Sequence, residues 1–349
     1  MKLNDISILK NGKKCKYDED GQIPIYGSNG VIGYTDKSNS RKNSIVIGRV
    51  GANAGSVFFS SQDHWVSDNA ISVTPDTDKV NPHYLYYVLV KLNLNRLVEG
   101  SAQPLLNQSI LNSFEIKIPD IQTQNKVVER INVFDKKIVL NKKINDNLLE
   151  LLDTEFSHRF INNSDYSTGK ISDFVSIKRG ASPRPIKDYL SDKGRAWIKI
   201  SDVTKLTSPF LYGTGQFIKE TGIDKSRTIK PGTLILSNSA TPGIPIISEI
   251  LASVHDGWLI INNYKYMDRN WFYLFFRQMR RQLVSRANGS VFNNLKTSIV
   301  KNFPVPIATE EELSDFKKFA DPIFDKLNQL QQESIALGKL KDSLLKKYF

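Results

Sequence analysis

The chain has 349 residues, of which 40% are hydrophobic and 24% charged, and this balance predicts soluble globular material in two or three domains. We expect neither a membrane span nor a signal peptide, because no apolar run reaches about eighteen residues and the basic N-terminal segment lacks an apolar core. The net charge of +12 favours an anionic partner, most often nucleic acid.

Within the first 120 residues, short β-branched and aromatic segments alternate with turn signals. They predict a strand–turn–strand unit at 23–35, strands at 44–50, 56–60 and 70–75, and helices at 82–98 and 109–114. The glycine-rich segment 48–55 leads into a strand, whereas a phosphate-binding loop leads into a helix, so we interpret it as a tight hairpin. In the second half, strands are predicted at 195–203, 232–239 and 244–250.

Two long segments, 121–160 and 309–349, are almost free of glycine and proline and are predicted to be helices. Apolar residues recur there every seven positions, which indicates a seam that pairs with another helix. In the first helix the predicted seam consists of Ile131, Phe134, Ile138, Asn141, Asn145, Leu148 and Leu152. In the second helix it consists of Phe316, Ile323, Leu327, Leu330, Leu337 and Leu344. We expect the two helices to pair with each other, with the two buried asparagines fixing the register; the alternative is that each helix packs separately on its own module.

The chain is a tandem duplication. Residues 100–119 match 289–308, and 148–160 match 337–349, at one constant offset (289 − 100 = 189 and 337 − 148 = 189). The openings of the two copies match at an offset of 168, so the second copy carries about twenty extra residues (189 − 168 = 21) before Thr233. The duplication predicts an α+β fold in which two strand-rich modules in tandem are each followed by a long helix.

This pattern predicts a first module at 1–120, a first long helix at 121–160, a linker at 161–169, a second module at 170–308 and a second long helix at 309–349. Two globular modules held by a rigid helical spacer suit a protein that reads two half-sites on DNA.

Residues 81–84, Asn-Pro-His-Tyr, come close to the Asn-Pro-Pro-Tyr motif with which adenine methyltransferases hold a flipped base. The second copy reads Asn-Trp-Phe-Tyr at 270–273, and both copies continue into an apolar helical run. Asparagine at the N-cap followed by proline at the first helical position is typical of a helix start. We therefore interpret the tetrapeptide as a helix cap.

In its motifs and in its duplication the chain resembles the specificity (S) subunit of type I restriction-modification systems, over nearly its whole length. The residues that carry the resemblance are "YGSNGVIGYT" (26–35), "IVIGRVGANAGSVFF" (45–59), "WIKISDV" (197–203) and the leucine-rich helix ends.

The resemblance implies that each module is a target recognition domain and that the long helices form an antiparallel coiled coil. It implies a non-catalytic subunit that reads a bipartite, interrupted sequence in double-stranded DNA and holds two methyltransferase (M) subunits, joined by restriction (R) subunits for cleavage. S-adenosylmethionine would then bind to the methyltransferase partner, and ATP with Mg to the restriction partner. This chain itself would bind no cofactor.

Candidate DNA contacts are polar and basic residues on loops in the middle of each copy, where the two copies differ in sequence. Base edges need hydrogen-bond donors and acceptors, and phosphates need cations. In the first module they are Lys13, Lys14, Lys16, Ser28, Asn29, Arg41, Lys42, Arg49, Asn53 and Gln103. In the second module they are Lys178, Arg179, Arg184, Lys187, Lys199, Asn238, Asn288 and Asn293.

The single cysteine, Cys15, allows no disulfide within the chain and favours a reducing, cytoplasmic location. The four histidines are scattered, so we expect no metal site and no catalytic residues. Two alternative functions remain at this point. One is a stand-alone DNA adenine methyltransferase, for which the sequence lacks a cofactor-binding loop, and the other is a coiled-coil adaptor that does not contact DNA.

Overall fold

A computed structural model describes residues 1–97, 105–163, 165–204, 206–287 and 294–349. The chain divides into two compact units. Unit 1 contains Met1–Lys137 together with Leu337–Phe349, and unit 2 contains Ile138–Ala336. Among the described helices, none combines the length and apolar character needed to cross a membrane.

Unit 1 is built on an antiparallel sheet. Its elements before the long helix are α1 (Leu3–Ile6), β1 (Ser7–Asn11), β2 (Ile23–Gly27), β3 (Gly30–Thr35), β4 (Ser44–Gly48), β5 (Val57–Ser60), β6 (Trp65–Val66), β7 (Ala70–Pro75), α2 (Pro82–Lys91) and α3 (Gln108–Ser113). The main sheet has the strand order β1-β7-β4-β5, and a second sheet has the order β3-β2-β6. Every residue of β4 is buried, as expected for a central strand that reads as a continuous apolar run.

Helix α2 ends earlier than the predicted 82–98. Asn93 adopts a left-handed backbone conformation (φ 47°), and a 3₁₀ turn follows at Leu94–Leu97. A left-handed residue just after the last turn terminates an α-helix, and asparagine tolerates this conformation better than most residues. The apolar spacing continues past Asn93, which is why the sequence pattern overestimates the helix. Residue 98 lies outside the described residues.

Unit 2 repeats this plan with a larger insert. Its elements are β8 (Thr168–Lys170), α5 (Ile171–Phe174), β9 (Ser176–Arg179), β10 (Leu190–Ser191), β11 (Arg195–Ile198), β12 (Phe210–Leu211), β13 (Phe217–Ile218), α6 (Glu220–Ile223), β14 (Arg227–Ile229), β15 (Thr233–Ser237), β16 (Pro245–Ser248), β17 (Ala252–Val254), β18 (Trp258–Asn262), α7 (Arg269–Ala287), α8 (Thr297–Lys301) and β19 (Pro304–Pro306).

The two main sheets share a core of four strands, and unit 2 adds a fifth, β12, which pairs in parallel with β16. The order in unit 2 is β12-β16-β15-β18-β9, so β9, β18, β15 and β16 correspond in order and direction to β1, β7, β4 and β5. The second sheets differ, since unit 2 has the order β10-β13-β11-β17-β14 where unit 1 has β3-β2-β6. Most of the extra strands lie between Gly180 and Thr233, where the sequence comparison places the additional residues.

The two long helices, α4 (Ile121–Phe156) and α9 (Glu310–Tyr348), run antiparallel within each unit. In unit 1, Arg130 Nη1 donates to the Tyr348 hydroxyl at 2.8 Å, and Lys341 Nζ lies 2.5 Å from Asp135 Oδ1. In unit 2, Asn141 Nδ2 donates to Glu333 Oε2 at 2.8 Å. Residue numbers rise on α4 as their partners' numbers fall on α9, which is the signature of antiparallel pairing.

The seam residues differ in burial. Ile131, Asn141, Asn145, Leu152, Phe316, Leu327 and Leu330 are buried, whereas Phe134, Ile138, Leu148, Ile323, Leu337 and Leu344 are half-buried. At two positions in unit 2 the buried residue is the next one along the chain, with Leu149 in place of Leu148 and Phe324 in place of Ile323. There the helices pack on α7 and the sheet as well as on each other, so the buried stripe follows the 3.6-residue helical period rather than a strict heptad.

The C-terminal end of each long helix packs on one of the two modules. In unit 1 the Phe349 ring lies 4.9 Å from the Tyr84 ring of α2. In unit 2 the Phe160 ring, in a π-helical turn after α4, lies 5.7 Å from Trp271 of α7 and 5.1 Å from Phe316 of α9. Phe160 and Phe349 are equivalent in the repeat (349 − 160 = 189). The duplication therefore preserves the packing of a phenylalanine at the helix end on an aromatic residue of the module.

Substitution at two adjacent positions of α4 tests this packing. Leu152 is fully buried, whereas Leu151 is 47% exposed. Leu152→Ala should lower the stability of unit 2 by about 2–5 kcal/mol, because it removes core contacts and leaves a cavity. Leu151→Ala should change it by less than about 1 kcal/mol. Thermal denaturation of the full chain measures both, and equal losses for the two variants would contradict the packing described.

Candidate nucleic-acid interface

In unit 1 the predicted contacts gather around the segment that precedes β7. Lys13 N donates to Val66 O at 3.0 Å, and Arg49 N donates to Asn69 O at 2.9 Å. The Ser28 hydroxyl donates to the same Asn69 carbonyl at 2.6 Å. Three loops that are far apart in sequence therefore meet beside one short segment.

Gly48 allows two further close approaches of the backbone. A Cβ at this position would lie 2.6 Å from Asn53 O and 2.8 Å from Ser28 O, both of which are backbone atoms that cannot move aside cheaply. The turn that contains Ser28 and the turn that contains Asn53 therefore each approach the backbone of Gly48 closely, and only glycine permits these contacts.

The exposed members of this group are Lys13, Lys14, Lys16, Asn29 and Asn53. They are joined by Tyr17, which the sequence analysis did not select and which is 63% exposed. The Ser28 hydroxyl also accepts from the backbone amides of Arg49 at 3.3 Å and Val50 at 3.2 Å, so it holds the turn in place. A DNA contact by Ser28 stays a prediction, as it does for the other members of the group.

Two predicted contacts of unit 1 lie elsewhere. Arg41 and Lys42 precede β4, whereas Arg49 follows it, so they lie at opposite ends of a buried strand. The backbone amide of Lys42 donates to Asp63 Oδ1 at 2.8 Å, and both side chains are exposed. Arg49 itself is half-buried, and its Nε has no hydrogen-bond partner among the described residues.

In unit 2 the loop after β9 brings four predicted cations together in sequence and exposes all of them. Lys178 and Arg179 end β9, Arg184 precedes Pro185, and Lys187 lies in a 3₁₀ turn at Ile186–Tyr189. Two of them are paired with an acid: Arg184 Nη2 lies 3.1 Å and Arg179 Nη2 lies 3.8 Å from Asp256 Oδ2. The loop is therefore a cationic surface in which Asp256 pairs with two of the cations.

In unit 2, Asp256 was not predicted from the sequence. It lies in the connection between β17 and β18, where an aspartate beside a glycine looks like ordinary turn chemistry. Burial acts to raise the pKa of Asp256, but the hydrogen bond from Ser182 and the charges of Arg184 and Arg179 outweigh it and lower the pKa below its usual range. The side chain is therefore a carboxylate at neutral pH.

Lys199 and Asn238 differ from the exposed loop residues. Lys199 is half-buried, and its backbone amide donates to Asp202 at 2.8 Å. Asn238 is only 4% exposed, and its Nδ2 donates to the Asp256 carbonyl at 3.2 Å, so it supports the loop from inside. The remaining predicted contacts, Gln103, Asn288 and Asn293, lie outside the described residues.

The tetrapeptide 81–84 is a helix cap. Asn81 Oδ1 accepts from the backbone amides of His83 at 2.9 Å and Tyr84 at 3.2 Å, and Pro82 is the first residue of α2. The asparagine side chain that would hold a base in a methyltransferase is therefore bound to the start of its own helix. Within the described ranges, no three histidine, cysteine or acidic side chains come together as metal ligands would.

Comparisons with known proteins agree with this architecture. The family model described as "Type I restriction modification DNA specificity domain" matches residues 1–150 and 163–344. The MjaIX specificity subunit of Methanocaldococcus jannaschii is 22% identical over 300 residues, covering 77% of this chain and 68% of that protein. The EcoprrI specificity subunit of Escherichia coli is 29% identical over 114 residues, covering 32% of this chain and 28% of that protein.

A solved structure has the same fold. The type I restriction-modification S subunit from M. genitalium matches with a TM-score of 0.65 at 17% identity, over 100% of this chain and 95% of that one. The family model matches nearly all of both halves of the duplication. This chain therefore belongs to the type I restriction modification DNA specificity family.

Proposed function

We propose that this chain, as the non-catalytic specificity subunit of a type I restriction-modification system, reads a bipartite and interrupted site in double-stranded DNA, one half with each unit. The observation that carries the proposal is the contrast between the two pairs of sheets. The main sheets keep the same four strands in the same order, with β12 added at one edge in unit 2, whereas the second sheets differ throughout. Two modules that share a main sheet but differ in their second sheets are the arrangement expected of a protein that presents two distinct DNA-reading surfaces.

The exposed basic loops are the proposed contact surfaces. In unit 1 these are the lysines of the segment 13–16, and in unit 2 they are the cations of the loop 178–187. Lysine and arginine on exposed loops bind phosphates and fix the register of a protein on the duplex, while polar groups nearby read base edges. The net charge of +12 favours the approach of DNA to these surfaces.

We further propose that two methyltransferase (M) subunits and the restriction (R) subunits bind this chain in the cytoplasm. S-adenosylmethionine would bind to the former, and ATP with Mg to the latter. In unit 2, α4 offers a surface that suits a protein partner. Leu140 and Leu151, which are eleven residues apart and so lie on the same helix face, are 50% and 47% exposed. Their side chains would add apolar contact area to an interface along this helix face.

Charge reversal tests the loop of unit 2. Replacing Lys178, Arg179, Arg184 and Lys187 with glutamate should weaken DNA binding by the assembled complex by about a hundredfold or more, and should flatten its salt dependence, because phosphate contacts are lost. Titrations at several salt concentrations measure both effects.

The matched control makes the same charge change elsewhere in unit 2, at the exposed residues Lys170, Lys230, Lys301 and Lys326. This variant should keep most of the affinity and the salt slope. If the two quadruple variants lose affinity equally, the loop has no special role and only the overall charge matters.

An exchange of modules tests the assignment of one half-site to each unit. Residues 1–120 are replaced with the corresponding module of another specificity subunit, and the methylated motif is sequenced in cells that carry the partner methyltransferase. One half of the motif should change and the other should stay the same. A change in both halves would show that the units do not read independently.

A further inference from the structure

Asp256 is fixed by contacts on both its side chain and its main chain. The Ser182 hydroxyl donates to Asp256 Oδ1 at 2.7 Å. The main-chain carbonyl of Asp256 accepts from Arg179 Nε at 2.7 Å and from Asn238 Nδ2 at 3.2 Å. The connection between β17 and β18 is thereby tied to the end of β9 and to the end of β15, three points on one edge of unit 2.

Arg179 is held by one edge of its guanidinium group. Its Nε donates to the Asp256 carbonyl, and its Nη2 lies 3.8 Å from the carboxylate. A guanidinium group is planar and rigid, so fixing the Nε edge also fixes the direction of the edge formed by Nη1 and Nη2. The side chain is still 57% exposed, so this second edge is available to a ligand.

Arg184 shares the carboxylate but is held less firmly. One nitrogen, Nη2, donates to Asp256 Oδ2 at 3.1 Å, and the side chain is 74% exposed. A group held at a single point can rotate about it, so Arg184 has no comparable preset direction. The two arginines on this loop are therefore not equivalent.

The carboxylate determines which acceptor suits the paired arginine. Asp256 neutralises part of the charge of the two arginines that share it, so Arg179 attracts a phosphate less strongly than an unshared cation does. The O6 and N7 atoms of guanine are uncharged acceptors and depend less on that charge. Two parallel N–H donors match those two atoms in the major groove, which is the commonest specific contact of arginine with DNA. Holding the side chain in advance also reduces the entropy that binding would cost.

We propose that Arg179, positioned by Asp256 and Ser182, reads a guanine in the half-site of unit 2. Asp256 is a positioning residue in this arrangement and acts through the arginine. Lys178 and Lys187 of the same loop form no ion pair with the residues that the structure describes, and they are left to hold phosphates. The inference rests on the proposed function, since it assigns one base to a surface that is itself proposed to bind DNA.

The test is base discrimination by the complex of this chain with its methyltransferase partner. Binding is measured on duplexes that carry the recognised site and on duplexes with each base pair of the unit 2 half replaced in turn. Arg179→Ala and Arg179→Lys should each reduce discrimination at one G·C pair by about ten- to a hundredfold, because neither residue provides two parallel donors. The other pairs should keep their discrimination.

Asp256→Asn keeps the arginine and removes the charge, and it should relax discrimination at the same G·C pair. Arg281→Ala, an exposed arginine on α7 and so outside the second sheet, is the control and should change no position. Discrimination in the unit 1 half serves as an internal check that each variant is folded.

The possible outcomes separate the two proposals. If the wild-type complex discriminates no base in the unit 2 half, the proposed function fails. If it discriminates bases there, but the Arg179 variants weaken all duplexes equally, Arg179 holds a phosphate and only this inference is overturned. A wild-type half-site without a G·C requirement would also overturn it.

Discussion

The structure depends on the aromatic contacts that the C-terminal ends of the two long helices make with the modules. In unit 1 the ring of Phe349 packs on Tyr84, and in unit 2 the equivalent Phe160 packs on Trp271 and Phe316. Each unit therefore completes its core with the start of one long helix and the end of the other. Buried aromatic rings contribute large apolar areas, so these contacts stabilise the helix ends as well as the modules. Neither module has all of its core within its own stretch of sequence, which explains why the duplication retains the helices.

Most of the fold could be predicted because its signals are local or repeated. Helices α4 and α9 follow from long segments almost free of glycine and proline, and the offset of 189 residues predicted two similar modules before any strand was assigned. The predicted seam differs from the structure where a third element packs on the two helices, and the predicted end of α2 differs where a single residue ends the helix. The buried stripe shifts to Leu149 and Phe324 because the helices also pack on α7 and the sheet, and a heptad pattern carries no information about that neighbour. Helix α2 ends at a single left-handed residue, Asn93, that apolar spacing does not reveal.

The candidate site was less predictable than the fold. Charge and loop position identified Arg179 and Arg184 as exposed cations, and both are exposed. The sequence did not identify their partner, because Asp256 is more than seventy residues away (256 − 179 = 77 and 256 − 184 = 72) and lies in what looks like an ordinary turn. It also did not separate Asn238, which is buried and supports the loop, from asparagines at the surface. Whether a polar residue faces solvent or its own loop depends on tertiary contacts, and composition alone does not contain them.

The central claim is that the two units read separate parts of one interrupted DNA site. The most direct measurement is the methylome of cells that express this chain with its methyltransferase partner and no other modification system. We expect methylated adenines in a motif with two specified parts, separated by a fixed number of unspecified base pairs. A continuous motif, or methylation that requires only one of the two parts, would contradict it.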